Sequence, residues 1–353
     1  MKINIYNNTF TLISVNITII KGRYLYNNYR DLVNKKIAWI IPFKNARDKI
    51  RNILDDIINT MYKIEYLTDK SNLIEAENKR TFIIWQCDGF AGQLSKYLFG
   101  ESIKQNYNDV TIKYDISWHI NNGKDAFNKE KRIFDLVNCF PDLNIEIATK
   151  EEVELYRRLF TFKCENISDV SEILNTRKNG YIDGYPPMLE CDMDIIKEKL
   201  DLDKHLFQRL KDKNLDMYKK IVNNDASVTI HVRRGDIKRH GEYAVFNNDD
   251  NLYKEYLFKS IKKMISKLKD KKTKFFFISN DMDWVRNNII NKLDIHIDYE
   301  EVTGNEDQVY FDLYLLSSGK NMILTIGGFS HYGSFFNKNH NPIIITPYNV
   351  DSI

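Results

Sequence analysis

Proline is scarce in this sequence, with six in 353 residues. No Pro/Gly/Ser-rich stretch marks a linker and no internal repeat is evident, so domain boundaries have to be read from shifts in hydrophobic pattern. Cysteine is scarcer still. The four, Cys87, Cys139, Cys164 and Cys191, form no CxxC pair. That spacing argues against a zinc site and a disulfide framework and fits a reducing compartment. No apolar run approaches the roughly 18–20 residues of a membrane-spanning helix; the longest near the start, IAWIIPF, is far too short. The opening MKINIYNNTF lacks a signal-peptide pattern. A cytoplasmic protein without a transmembrane segment is expected, one that reaches any membrane-borne substrate peripherally. Charge of one sign is also lacking: the net charge is only +3. That balance offers no general attraction to nucleic acid or anionic lipid, so anion binding must be local. Without a secretory signal, the sequons at Asn7, Asn16 and Asn166 read as chance.

What is present is ordinary globular material, 43% hydrophobic and 29% charged. The length implies two domains or one large one with an appendage. Residues 1–80 read as an N-terminal extension. Ile13, Val15, Ile17 and Ile19 alternate with polar residues as in a half-buried strand, and KINIY precedes them as a hairpin partner. Ile50, Ile53, Leu54, Ile57, Ile58 and Met61 recur at helical spacing, which predicts an amphipathic helix over about 44–63.

From residue 81 the pattern changes to strand, glycine-bearing loop, helix: TFIIWQC, DGFAGQ, LSKYLFGESIKQ. VTIKYDISW predicts a further strand, and helical patterns dominate from about 128 to 218. The last third alternates cleanly between strands (SVTIHV, KFFFIS, IHIDYE, NMILTIGG, PIIITP) and helices. Such alternation predicts an α/β fold with a parallel sheet covered on both faces. The expected organisation is an extension over 1–80, a Rossmann-like domain over 81–220 and a second over 221–353.

Where SVTIHV runs out, the chain reads VRRGDI. In α/β sheets ligands sit beyond the carboxyl ends of the strands. Alternation along the strand puts His231 and Arg233 on one face and Val232 and Arg234 on the other. Two guanidiniums cannot be buried unpaired, since desolvation costs several kcal/mol each. Asp236 is the expected partner of Arg234. Arg233 is left for an external anion, and its planar fork suits a pair of phosphate oxygens. The plain alternative is a solvated turn with a structural Arg–Asp pair.

Two other stretches favour the anion reading. CDGFAGQLSKYLFG, 87–100, places a glycine loop between a strand and a helix, where backbone N–H groups are free and a ligand can approach closely. LTIGGFSHYGSFFN, 324–337, ends a strand in Gly327–Gly328 and starts a helix at Phe329–Ser330. Ser330 either caps that helix or helps its first N–H groups hold an anion, and the two roles are compatible.

In this order the motifs resemble those of the GDP-fucose-dependent α-1,2-fucosyltransferases, the family 11-like glycosyltransferases. Their HxRRxD motif is matched by His231, Arg233, Arg234 and Asp236. Their G-[LF]-[GA]-N-Q loop is matched by Gly89, Phe90, Ala91, Gly92 and Gln93, with glycine in place of asparagine. KYDISW, 113–118, looks like a segment common in these enzymes. KFFFISNDMDW matches through Ser279, Asn280, Asp281 and Trp284, and the closing motif through Asp312, Leu313, Leu315, Ser317, Gly328, Phe329 and Ser330. The resemblance covers about 81–347.

This resemblance implies a GT-B architecture, two Rossmann-like domains facing across a cleft. It implies inverting, metal-independent transfer of fucose from GDP-β-L-fucose to a terminal galactose of a glycan, with no cofactor and no nucleic-acid partner. Arg233 would contact the β-phosphate, and Arg234 and Asp236 would hold the motif together. His231, Asp281, Gly328, Phe329 and Ser330 would line the donor site. The loop residues Asp88, Gly89 and Gln93, with Trp118, would face the acceptor. Asp236, His240, Glu242 and Asp88 are candidates for the base that takes the acceptor proton, Glu242 foremost because a mobile loop could bring it there. The DxD strings at Asp192/Asp194 and Asp281/Asp283 imitate a manganese motif, but both precede helices and are expected to cap them. Transfer to another linkage or to a protein hydroxyl is the alternative chemistry. A non-catalytic sugar-nucleotide or glycan-binding protein is the alternative class.

Overall fold

The computed structural model describes residues 2–6, 9–13, 80–121, 123–124, 131–164, 166–234, 249–269, 272–305 and 308–351. The chain divides into two units, Met1–Glu77 and Asn78–Ile353. In the first, β1 (Lys2–Tyr6) and β2 (Thr9–Ile13) form an antiparallel hairpin with Tyr6 opposite Thr9. The expected helix over 44–63 lies outside the described residues.

The second unit contains two parallel sheets. The first has the order β4-β3-β6-β5, built from β3 (Arg80–Trp85), β4 (Val110–Asp115), β5 (Thr161–Lys163) and β6 (Asn179–Asp183). Neither β5 nor β6 is evident in the sequence: three and five residues are too few to show a period, and TFK continues the apolar face of the helix before it. The strand read into VTIKYDISW stops at Asp115, and Ser117–Ile120 turns into a short helix.

The second sheet has the order β11-β10-β7-β8-β9. Its strands are β7 (Ser227–Val232), β8 (Lys274–Ser279), β9 (Asp298–Val302), β10 (Asn321–Leu324) and β11 (Ile344–Ile345), all parallel. The α/β class and the five parallel strands are as expected; β9 begins three residues later than IHIDYE implied. Strand β7 is buried along its whole length, as a central strand covered on both faces must be. Val228, Ile230 and Val232 pack under the helix Asp250–Leu268 through Tyr253, Leu257, Ile261 and Met264. On the opposite face Phe276, Ile278, Met322 and Leu324 meet Leu315 and Leu316 of the helix Val309–Ser317.

Each sheet has a point where strand order reverses. In the second it lies between β7 and β10; in the first, between β3 and β6. Loops leave such points in opposite directions and open a crevice. A shared core joins the two sheets' helical layers, with Phe90, Leu94 and Tyr97 of one packed with Tyr310, Leu313, Tyr332 and Phe336 of the other.

Candidate functional site

The loops from the two reversal points carry the residues singled out in the sequence. After β7 the strand alternation holds. His231 Nδ1 lies 2.7 Å from the Ser330 hydroxyl, and its ring packs on Phe329. Arg233 lies against the same corner, where a Cβ on Gly327 would come within 2.7 Å of its Nη1. Gly327 has φ +128 and ψ 161, a conformation essentially confined to glycine. Glycine is therefore needed here twice, for the turn and for the guanidinium beside it. The helix Gly328–Phe335 then starts with its N-terminus, the positive end of its dipole, at this corner.

Arg234 points the other way. Its Nη1 and Nη2 both donate to Asp250 Oδ1 at 3.1 Å, and its guanidinium lies 3.7 Å above the Trp284 ring. The carboxylate expected for it, Asp236, lies outside the described residues, as do His240 and Glu242. The Asp250 partnership was not legible in the sequence, because Asp249–Asp250 reads as a helix start. Asp249 does cap that helix, which leaves Asp250 free to turn back to the arginine.

The backbone of the motif is clamped from three neighbouring segments: the end of β8, the helix Asp250–Leu268 and the turn after β10. Ser279 donates to Val232 O (2.7 Å), and Tyr253 to Arg233 O (2.8 Å). Arg233 N donates to Thr325 Oγ1 (3.1 Å), while Asn280 both accepts from Arg234 N and donates to Arg234 O. Arg233 is thus held at a backbone that has little freedom to move, the condition for preorganised charge. Burial, and then the neighbouring Arg233 charge, pushes the His231 imidazole down to about 3. It is neutral at ordinary pH and serves as a hydrogen-bonding partner for Ser330.

Both DxD strings are used for capping. Asp192 accepts from the amides of Asp194 and Ile195, and Asp281 from that of Trp284. Asp283 pairs with Arg286 at 2.8 Å. Among the described residues no cluster of three or more His, Cys, Asp or Glu could hold a metal ion.

From the first sheet, the first turns of the helix Phe90–Asn106 that follows β3 meet this corner. A Cβ on Gly328 would lie 3.0 Å from that of Ala91, and Ser95 and Tyr332 share a 2.8 Å hydrogen bond. Gly89 takes extended backbone and precedes the helix Phe90–Asn106. Asp88 has φ +72, an αL conformation that aspartate tolerates better than most residues. Its carboxylate accepts from the Cys87 thiol (3.0 Å) and lies 3.6 Å from Lys96 Nζ. Lys96 is only 1% exposed, donates to Cys87 Sγ and lies under the Tyr185 ring. Burial pushes the Cys87 thiol up to about 12, so it stays protonated between the two charges. Lys96 is a neighbour of this loop that sequence reasoning passed over, since it sits at an ordinary position inside a helix.

Gln93 differs from its expected place. It is wholly buried; its amide donates to Asp88 O and Ile133 O and accepts from Leu136 N. It ties the loop to the fold rather than facing a ligand. Trp118 does face a cavity, of about 340 Å³, at the carboxyl edge of the first sheet, together with Trp85, Ser117, Asn121, Lys124 and Arg157. Among the described residues no helix is long and apolar enough to cross a membrane.

Comparison with known proteins adds the following. The family model described as Glycosyl transferase family 11 matches residues 176–352. The O-antigen biosynthesis glycosyltransferase WbnK of Escherichia coli is 26% identical over 177 residues, 48% of this chain and 55% of that protein. The chain thus spans about half the length of this curated relative. A solved structure of the α-1,6-fucosyltransferase NodZ co-crystallised with GDP is 15% identical, with a TM-score of 0.43 over 73% of this chain and 92% of that one. POFUT1 in complex with GDP-fucose is 10% identical, with a TM-score of 0.41 over 76% and 98%.

Proposed function

Since the chain belongs to glycosyl transferase family 11, we propose that it transfers L-fucose from GDP-β-L-fucose to a terminal galactose of a glycan, with inversion, forming an α-1,2 linkage. The observation that carries this reading is the corner where Arg233, Gly327 and the His231–Ser330 pair meet at the start of a helix. It offers a guanidinium fork, a hydroxyl and helical N–H groups to one diphosphate, each charge-assisted bond contributing about 1.5–3 kcal/mol.

When the fucose–phosphate bond breaks, its electron pair goes to the phosphate oxygen and the sugar becomes oxocarbenium-like. Negative charge thus grows on the β-phosphate beside Arg233. An interaction that strengthens as that charge develops lowers the barrier rather than merely tightening binding. In this reading the guanidinium serves where other glycosyltransferases use a divalent cation, so no metal and no cofactor takes part. In this reading Gly328 and Phe329 shape the donor corner and Asp281 contributes a nucleotide contact. The resemblance assigns Asp236 to holding the arginine motif together. Glu242 takes the proton of the acceptor hydroxyl as it attacks from the side of Asp88, Gly89 and Trp118. All four cysteines are free thiols, which suits a cytoplasmic setting.

The test is incubation with GDP-fucose and galactose-ended oligosaccharides, following GDP release and reading product mass and linkage. A fucosylated product with an α-1,2 bond is expected. GDP binding without turnover on any galactoside would refute the assignment.

A further inference from the structure

The cavity at the carboxyl edge of the first sheet has a chemistry that the donor corner does not need. Its two indoles, Trp85 and Trp118, offer flat apolar faces, and Ser117 and Asn121 offer hydrogen bonds. Among the described residues its charged lining is Lys124 and Arg157, with no carboxylate. At about 340 Å³ it lies at the small end of the roughly 300–1,000 Å³ range of ligand sites.

Its walls are built in advance. Asp115, 1% exposed at the end of β4, accepts from Tyr181 Oη (2.6 Å) and Ser117 N (2.8 Å) and pairs with Arg157 Nη2 at 2.7 Å. Arg157 Nε donates to Tyr181 Oη at 2.6 Å, so the guanidinium is held at the rim. Gly123 lets the Trp118 ring fold onto the backbone, where any Cβ would come within 2.5 Å of the indole.

The remaining charge stands out. Lys124 is the antiparallel bridge partner of Lys131. Like charges directly opposite one another across a ladder are destabilising. Both lysines are exposed, and neither makes a hydrogen bond or ion pair among the described residues. Among the described residues Asp115 offsets Arg157, and the lysine pair leaves the rim with net positive charge. The cavity also adjoins the acceptor-side loop: Lys96 lies 5.3 Å from the Trp85 ring and 3.6 Å from Asp88.

We infer that this cavity holds a carboxylate-bearing sugar, a uronic-acid unit of the acceptor glycan, with its carboxylate on the Lys124–Lys131 side and its ring face on Trp118. The inference rests on the fucosyltransfer reading only for calling this sugar part of an acceptor. The binding itself needs no donor. A neutral sugar would use the indoles and leave the paired lysines uncompensated; an acidic one relieves their repulsion.

The experiment titrates the full chain, without GDP-fucose, with galactosyl-glucuronic acid and with its neutral counterpart galactosyl-glucose, following tryptophan fluorescence. The acidic disaccharide should bind at least about fivefold more tightly at low salt. That preference should collapse in the Lys124→Gln/Lys131→Gln variant and at roughly 0.5 M salt, where screening reaches a few ångströms. Equal affinity for the two sugars, no binding of the acidic one, or a preference that survives in the double variant would overturn the inference. GDP release is then measured with both disaccharides. Acid-selective binding without GDP release would sink the transferase reading and leave this site standing. Turnover of both sugars with no acid selectivity would do the reverse.

Discussion

The Ser330 hydroxyl and the His231 imidazole lie 2.7 Å apart although 99 residues separate them in the chain. One is next to last in the strand β7 and the other lies in the first turn of the helix after β10, so their meeting follows from β7 and β10 being neighbours in the sheet. The same adjacency sets Arg233 against Gly327. The donor corner is therefore a consequence of strand order, and each of its parts can be probed separately.

Arg233→Ala should lower the transfer rate by about 10²–10³-fold, the usual loss when one preorganised charge donor is removed. Circular dichroism and the denaturation midpoint should stay near those of the parent. Arg233→Lys should recover only part of the rate, because an ammonium cannot reproduce the two-pronged contact. A parent-like rate in Arg233→Ala would remove the arginine from the chemistry.

Gly327→Ala is expected to damage both stability and activity. The backbone conformation there costs a non-glycine residue about 1–3 kcal/mol, and the new Cβ would stand 2.7 Å from Arg233 Nη1. Urea denaturation should show the loss of stability. Initial rates should fall beyond what the remaining folded fraction explains, since the guanidinium has to move.

Asp250→Ala strands the charge of Arg234, whose side chain is 7% exposed. Removing one member of a buried pair costs about 3–5 kcal/mol, but Asp250 itself is 39% exposed, so water offsets part of it and roughly 1–3 kcal/mol is expected. The Trp284 ring under the guanidinium limits the loss further. Chemical denaturation of Asp250→Ala and Asp250→Asn measures it, with the asparagine variant in between.

His231 should make stability depend on pH. Its folded value is pushed from 6.5 down to about 3, so over that window the unfolded chain binds more protons than the native one. Stability contributed by the neutral imidazole is complete above the unfolded value and falls as pH drops towards the folded one. Asp135, which burial pushes up to about 6, acts with the opposite sign between its ordinary value and that level. The difference between parent and His231→Gln isolates the histidine. Thermal or urea unfolding at several pH values should show a shallower acid-side decline in the variant; parallel curves would contradict the buried neutral imidazole.

Transfer should continue unchanged in EDTA. Of the carboxylates that spell DxD, Asp192 and Asp281 accept from helix amides and Asp283 pairs with Arg286. A strict need for manganese in the rate assay would return Asp281 and Asp283 to the mechanism.

Much of this protein was decided locally. The parallel α/β class, the placing of β3, β7 and β8, and the alternation that separates Arg233 from Arg234 all follow from side-chain periodicity, which is a property of a few consecutive residues. Tertiary structure decided the rest. Nothing near Arg234 in sequence announces Asp250 as its carboxylate. Nothing near Lys96 announces its burial beside Cys87 and Asp88. Strand β6 exists because β3 offers an edge to pair with, and β5 because β6 then does, not because three or five residues prefer that form. Partners such as these are fixed by strand order and by the core shared between the two sheets, and neither leaves a trace at the spacing of neighbouring residues.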